Sequence, residues 1–580
     1  MKFISFLLRF VFSILLSLLL TIPILLFFKP IYIASSLTIP YAIYPFDICK
    51  ASPVAWSYIK LSHCFTCFYV CMLFVNSIFK RFLKNKVVFG TRVENPFKAP
   101  SAGICLYLGE TVTSKLPVYL PEKSLWQNIL VTGTIGTGKT SSSMYPFAKQ
   151  LIAYMSDSDD EKLGMLILDV KGNFYKQVVA YAKELNRLDD LYVIELGGTI
   201  KYNPLDNPNL KPSVLANRLK TILTLFSPNN SESYWLDKAE EVLSEAIKLC
   251  RLYNNNYVTF TEIHKLINSP NYYNEKVLVL KDLFRSGVLS SSQIYDLHSA
   301  LTFFENEFKS LDSRVLSILK SEICRMTNIF MSDYDIQKTF CPEQKDVSFA
   351  GFKEVLEQGK IVVLNMNISM YKNLSKLIAA YLKLDFQAEV LSQLSTNNVK
   401  PSAFICDEFH EYVTATDSNF FAQSREAKCI NIVATQSYTS LLNSLKDQYS
   451  TKTIIQNLIN KLWYRTDDVF TIEDAQKQIG REDKTKISKS ISENAQETKY
   501  NYITNSLNSS KSSVSESIST HINTDYIYDL NFFTQELETF SCLSFLSNGD
   551  KILPPTKLKM KPYFLEDTSK RKAKNKYKII

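Results

Sequence analysis

One stretch of the chain has the residue types and spacing for phosphate chemistry. Gly133-Thr134-Ile135-Gly136-Thr137-Gly138-Lys139-Thr140 fits G-x-x-x-x-G-K-[ST] at every fixed position, and Ser141 follows it. Such a loop turns backbone N–H groups inward, so it needs glycines, and it leads into a helix N-terminus whose partial positive charge faces the anion. Gly133 to Ser141 are therefore the expected nucleotide contacts. Lys139 would reach the β- and γ-phosphates, and the Thr140 hydroxyl would ligate Mg²⁺, so ATP with Mg²⁺ is the expected cofactor pair. A chance glycine-rich turn lacks context, whereas here an apolar strand-type run, Asn128 to Thr132, precedes the loop and a helical segment, Ser141 to Ala153, follows it.

Phosphoryl transfer also requires a carboxylate for the metal's water shell and a group that polarises the attacking water. Ala403-Phe404-Ile405-Cys406-Asp407-Glu408 is an apolar strand ending in two acids, with Asp407 the metal candidate and Glu408 the general-base candidate. Consecutive acids after a strand also cap helices, and it is the pairing with the glycine loop that favours catalysis. Gln436 closes another apolar run, Ile430 to Ala434, where an amide either senses the γ-phosphate or forms a turn. Arg425, between the acid pair and that run, is either a helix-surface residue or an arginine finger offered to a neighbouring subunit.

These residues need a scaffold of strands. Met165 to Val170, Leu191 to Leu196, Ile361 to Leu364 and Lys461 to Tyr464 are short apolar runs of the kind found in buried parallel strands, and helical patterns separate them. The expected fold class is α/β with a wound parallel sheet. From about Ser231 to Phe349 the pattern is helical, with Trp235, Ala239, Val242, Leu243, Ala246 and Ile247 three to four residues apart. Residues 488–519 are dense in Ser, Asn, Lys and Thr and are expected to form a flexible loop. The expected divisions are 1–86 as a membrane anchor, 87–230 and 350–566 as two parts of a nucleotide-binding domain, 231–349 as an inserted helical domain, and 567–580 as a basic tail.

With 580 residues, 46% hydrophobic and only 15 Gly and 20 Pro, the chain is excluded from the wholly disordered and collagen-like classes. A net charge of +9 permits nucleic acid or anionic membrane as a partner without requiring either. The 11 cysteines lack disulfide or zinc spacing and are expected to be reduced thiols, with Cys64, Cys67 and Cys71 packing inside an apolar run. Two runs of 19 uncharged residues, 10–28 and 61–79, are each about 28 Å long as helices, close to the hydrocarbon thickness of a bilayer. Lys80, Arg81, Lys84 and Lys86 directly follow the second run, so a two-span hairpin is expected with both ends cytoplasmic. His63 would then sit near the outer end.

The order of motifs resembles a known family. After the two-span hairpin and the glycine loop come Leu168-Asp169-Val170-Lys171-Gly172-Asn173, then Tyr202-Asn203-Pro204-Leu205, then Asp407-Glu408-Phe409 and Ala434-Thr435-Gln436-Ser437. In this order they resemble the TraG/TraD coupling proteins of type IV secretion and conjugation systems. Asn173 departs from that pattern, where a Glu commonly follows the Lys-Gly. The resemblance implies a RecA-like motor ATPase with an inserted all-α domain, anchored in the cell (inner) membrane as a homo-hexamer. It further implies that Lys139, Thr140, Asp407 and Glu408 carry nucleotide binding and hydrolysis, that Gln436 senses the γ-phosphate and that Arg425 acts in trans. The implied partners are DNA, with single strands expected, a relaxase and the secretion channel. An FtsK-like DNA translocase or a protein-secretion ATPase would share the chemistry. A non-catalytic membrane receptor is disfavoured by the intact Lys139, Thr140, Asp407 and Glu408.

Overall fold

A computed structural model describes residues 10–21, 53–84, 103–158, 160–226, 233–396, 398–493, 499–501, 506–508 and 514–565. The chain divides into a unit over Met1–Glu94 and a unit over Asn95–Ile580.

The larger unit is built on an 11-stranded sheet. Its strands, in chain order, begin with β1 (Cys105–Thr111), β2 (Pro117–Pro121), β3 (Ile129–Thr132), β4 (Gly164–Leu168) and β5 (Leu191–Glu195). β6 (Ile361–Asn365), β7 (Ser402–Cys406), β8 (Cys429–Thr435) and β9 (Asn460–Tyr464) follow. After β10 (Arg481–Glu493), β11 (Lys499–Asn501), β12 (Ser506–Asn508) and β13 (Val514–Tyr526), the sheet is completed by β14 (Ser541–Phe545) and β15 (Thr556–Met560). The order is β2-β1-β15-β14-β9-β3-β8-β7-β4-β6-β5. From β9 to β5 every neighbouring pair is parallel, and from β9 outward through β14, β15, β1 and β2 every pair is antiparallel.

The expected α/β class and parallel centre are borne out, and each predicted apolar run is a strand. Helices cover both faces, so the central strands are apolar on both sides. Ile129, Leu130 and Val131 of β3 are fully buried, as are Ala403 to Cys406 of β7, each large aliphatic side chain contributing about 1.5–3 kcal/mol. The central strands feed a core on each face, one containing Leu130, Leu166 and Phe404, the other Ile129, Val131, Ile167 and Ile405, as alternating side chains point to opposite faces, and a third cluster gathers around Trp463 and Leu543. The antiparallel edge was not expected. Its strands are short and interrupted by Gly109 and the Pro554–Pro555 pair, which hides their periodicity.

Between β5 and β6 the described chain is helical, from Pro212–Phe226 through Ser233–Tyr253 to Tyr334–Phe340. Here Asn203 clasps sheet and helices together. Its side chain donates to the Val258 carbonyl (2.8 Å) and accepts from the Leu205 N–H (3.0 Å). The Asn-Pro-Leu motif is therefore a structural joint.

Of residues 488–519, expected as a flexible loop, 488–493 and 514–519 lie in paired strands. β10 and β13 pair antiparallel from Arg481↔Tyr526 to Glu493↔Val514 as a long ribbon, and β11 pairs with β12. The physical reason lies in alternation: Ile487 and Ile491, and Ile518 and Ile522, each recur four positions apart and so fall on one face of their strand, a period-2 pattern that the polar composition masks. The ten described cysteines are free thiols.

In the smaller unit residues 10–21 and Pro53–Lys84 are helical. The first expected span extends past residue 21, outside the described residues, and the second lies within Pro53–Lys84. Among the described residues no helix is long and apolar enough to cross a membrane. Ser62, His63 and Thr66 dilute the apolar character of the longer helix. The second span is therefore not found in the form expected, and the rest of the first lies outside the described residues.

Candidate functional site

The glycine loop leaves the C-terminal end of β3 and enters a helical turn at Thr140–Met144 that continues as Tyr145–Ala153. Gly136 and Gly138 have φ of 81° and 93°, conformations that favour glycine, and a Cβ on Gly138 would run into the Phe540 ring. The loop is held from β9: the Thr134 N–H donates to the Arg465 carbonyl (2.9 Å), and the Tyr464 hydroxyl lies 2.8 Å from the Ser142 hydroxyl.

Strand order explains how distant residues meet. β8 lies between β3 and β7, so the C-terminal ends of these three strands carry, side by side, the glycine loop, Gln436 and the Asp407-Glu408 pair. The Thr140 hydroxyl donates to Asp407 Oδ2 at 2.8 Å. Lys139 is buried, and its ammonium donates to the Gly133 carbonyl. Burial lowers the Lys139 pKa, opposed by the Glu408 and Asp407 charges. Asp407 is fully buried and its pKa is pushed up to about 6, first by burial and then by the Glu408 and Asp169 charges.

Glu408 has left-handed backbone angles (φ 50°, ψ 49°), which cost a non-glycine residue about 1–3 kcal/mol. Its Oε2 is buried without a hydrogen-bond partner. Lys171 Nζ is 3.7 Å from its Oε1, and His410 Nδ1 is 3.7 Å from its Oε2. Burial lowers the His410 pKa, opposed by the Glu408 and Glu411 charges. Its Nδ1 also lies 3.2 Å from the Thr435 hydroxyl, so His410 bridges the ends of β7 and β8. Neither Lys171 nor His410 was assigned a role from sequence, although Lys171 stands within a motif that was noticed.

Asp169 has another duty. Its carboxylate accepts the N–H groups of Lys171, Asn173 and Phe174 at 2.8–3.1 Å, capping the helix Phe174–Glu184. Asn173 lines the cavity, and the phosphate loop is complete without an acid there.

A cavity of about 440 Å³ joins these groups. Its lining runs from Thr134, Lys139, Thr140, Asp407 and Glu408 to Ile135, Tyr145, Phe540, Tyr563 and Phe564. The last three aromatics had no signal in the sequence, because they arrive from the antiparallel edge. Gln436 is half-buried at the end of β8 and Arg425 is exposed after the helix Asp417–Gln423, and neither lines the cavity. The paired hydroxyl and carboxylate of Thr140 and Asp407 are hard oxygen donors that fit Mg²⁺. Among the described residues no cluster of three His, Cys, Asp or Glu could hold a metal.

Residues 401–526 match the family model "TraM recognition site of TraD and TraG". No curated protein matches the chain. Among solved structures the chain is similar to the conjugative coupling protein TrwBdeltaN70 in its unbound monoclinic form, at 13% identity over 80% of this chain and 89% of that one, with a TM-score of 0.52. It is similar also to TrwB in complex with ADP and Mg²⁺ (12% identity, 78% and 89% covered, TM-score 0.51) and with the GTP analogue GDPNP (12%, 79% and 90%, 0.50). The matched family model and the shared fold bear out the resemblance to the TraG/TraD coupling proteins that the order of motifs carries.

Proposed function

We propose that this protein is a membrane-anchored, ring-forming ATPase that couples hydrolysis to the delivery of DNA, or of a protein–DNA complex, to a type IV secretion channel. The observation that carries the reading is the Thr140–Asp407 contact in a cavity shared by Lys139 and Glu408. TrwB, whose fold the chain shares, has been crystallised with ADP and Mg²⁺.

In this reading the loop N–H groups and Lys139 hold the β- and γ-phosphates. Thr140 and Asp407 would hold Mg²⁺, which when bound offsets phosphate charge. Glu408, whose carboxylate lines the cavity, orients the attacking water. The water oxygen bonds to the γ-phosphorus, the bond to the β–γ bridging oxygen breaks, and the proton passes to Glu408. Lys171 and His410 flank that carboxylate and fix its direction. Gln436 follows the strand between the two halves of the site and senses the γ-phosphate. Arg425, exposed and outside its own cavity, completes the site of a neighbouring subunit, so a ring, hexameric by resemblance, is required.

The anchor is part of the same proposal. Its support is the sequence, with its two uncharged runs and trailing basic residues, together with an inverted burial pattern in the smaller unit. Ser13, Ser17 and Thr21 are buried, whereas Phe12, Leu15, Leu19, Phe65, Leu73 and Phe74 are exposed. Small polar residues inside and large apolar ones outside suit helices that pack in lipid. The cell (inner) membrane, with the motor in the cytoplasm, is the proposed location, and DNA, a relaxase and the channel are the proposed partners.

The test is steady-state ATP hydrolysis by the full chain in detergent, with and without single- and double-stranded DNA. Low salt is needed, because phosphate contacts weaken steeply as salt rises. DNA-stimulated hydrolysis is expected. Hydrolysis indifferent to DNA would favour a protein-secretion ATPase, and no hydrolysis at ring-forming concentrations would remove the reading.

A further inference from the structure

The cavity has two chemically distinct ends. One is charged, with Lys139, Asp407 and Glu408, and matches phosphate. The other is formed by Ile135, Phe540, Tyr563 and Phe564. These aromatics are tied to the phosphate loop by backbone hydrogen bonds. The Phe540 N–H donates to the Thr137 carbonyl (3.0 Å), and the Tyr563 N–H donates to the Ser141 carbonyl (2.9 Å). The Met560 N–H donates to the Phe540 carbonyl (2.8 Å), which joins the two segments.

The rings also brace one another. Phe540 and Phe564 have centroids 5.9 Å apart at 71°, Tyr563 and Phe564 are 5.5 Å apart at 80°, and Tyr563 meets Tyr145 of the loop helix at 5.1 Å and 82°. Such edge-to-face contacts fix ring orientation. Yet Phe564 remains 55% exposed and Tyr563 40% exposed. Large rings held in place, solvent-exposed and beside a phosphate-binding loop, lack only a flat apolar partner. Neither the turn at Phe540 nor the segment Pro562–Leu565 contributes a carboxamide or carboxylate to the lining. The side-chain hydrogen-bonding group they bring to the lining is the Tyr563 hydroxyl, which both donates and accepts and so does not favour one base edge over another.

We propose that Phe540, Tyr563 and Phe564 seat the nucleobase by stacking rather than by reading its edge, so that the site accepts nucleoside triphosphates with little regard to the base. This inference rests on the nucleotide-binding reading above. It assigns a binding role to the C-terminal segment of the described chain, more than 400 residues from the glycine loop.

The test is calorimetric titration of the full chain in detergent with the Mg²⁺ complexes of ATP, GTP and inorganic tripolyphosphate, which has the charge but no base. ATP and GTP are expected to bind with similar affinity. Phe564→Ala should weaken both by about tenfold, as expected for one lost stacking partner, and leave tripolyphosphate unchanged. Phe564→Trp should restore both nucleotides. An equal loss for tripolyphosphate, no loss for either nucleotide, or a loss confined to one base would overturn the inference while leaving the phosphate site standing. Wild-type protein that binds neither nucleotide nor tripolyphosphate would overturn the phosphate site itself, and this inference with it.

Discussion

The Thr140 hydroxyl and the Asp407 carboxylate, 267 residues apart in the chain, meet at 2.8 Å. Strand order makes this possible. β3 and β7 run parallel with only β8 between them, so the residues that leave their C-terminal ends converge. Open α/β sheets bind ligands at that edge. The same arrangement places Gln436 between the two halves of the site without any local signal beyond a polar residue after an apolar strand.

Lys139→Ala should reduce ATP turnover by about 10²–10³-fold, the usual loss when a group aimed at developing charge is removed. The fold should survive, because the Lys139 ammonium hydrogen-bonds to the Gly133 carbonyl of its own loop and ties no other element together by that bond. The check is steady-state hydrolysis beside thermal unfolding of the same sample. Unchanged hydrolysis would refute the site.

Arg425→Ala and Glu408→Gln should each be inactive alone. Mixed together they should recover a fraction of wild-type activity, because an interface between the two variants pairs an intact Glu408 with an intact Arg425 from its neighbour. Arg425 is exposed and outside the cavity of its own chain, as a residue acting in trans must be. Mixtures with no activity at any ratio would sink the idea.

The phosphate site was legible in the sequence because its chemistry is contiguous: the glycine spacing, Lys139 and Thr140 fall within eight residues. The acid pair was legible for the same reason, with Asp407-Glu408 directly ending an apolar strand. His410 was hidden by ambiguity, since a histidine two residues past an acid has no distinctive spacing. Phe540, Tyr563 and Phe564 were hidden by distance, because the antiparallel edge that delivers them forms only when β14 pairs with β9 and β15. The β10–β13 ribbon was misread because composition outweighed period: Ser and Thr dominate, while four isoleucines mark the alternation.

A buried ion pair braces the segment after the Asp407-Glu408 pair. Lys383 and Asp417 are both fully buried, and Lys383 Nζ also donates to the Tyr412 carbonyl (2.7 Å) and the Thr414 hydroxyl (3.1 Å). Lys383→Met should destabilise the protein by about 3–5 kcal/mol, because it strands the Asp417 carboxylate without its counter-charge. Adding Asp417→Leu should recover much of the loss. Urea unfolding of both variants is the check, and a double variant no more stable than the single one would contradict the pairing.

Lys461 gives the pH dependence a definite sign. It lies on β9, 3% exposed, and burial lowers its pKa to about 8, with Asp474 opposing. The unfolded chain keeps its proton to about 10.4. Between those values the unfolded state binds more protons, so this group makes stability rise with pH. Below pH 8 both states are charged and the full burial cost is borne, roughly 3 kcal/mol. Lys461→Met removes the charge at nearly constant shape, so the variant should be more stable than wild type at pH 7, with the difference shrinking as pH approaches 10. Comparing the two proteins at each pH cancels every other titrating group. Unfolding midpoints whose difference stays constant from pH 7 to pH 10 would show that Lys461 does not lose its proton in the folded protein.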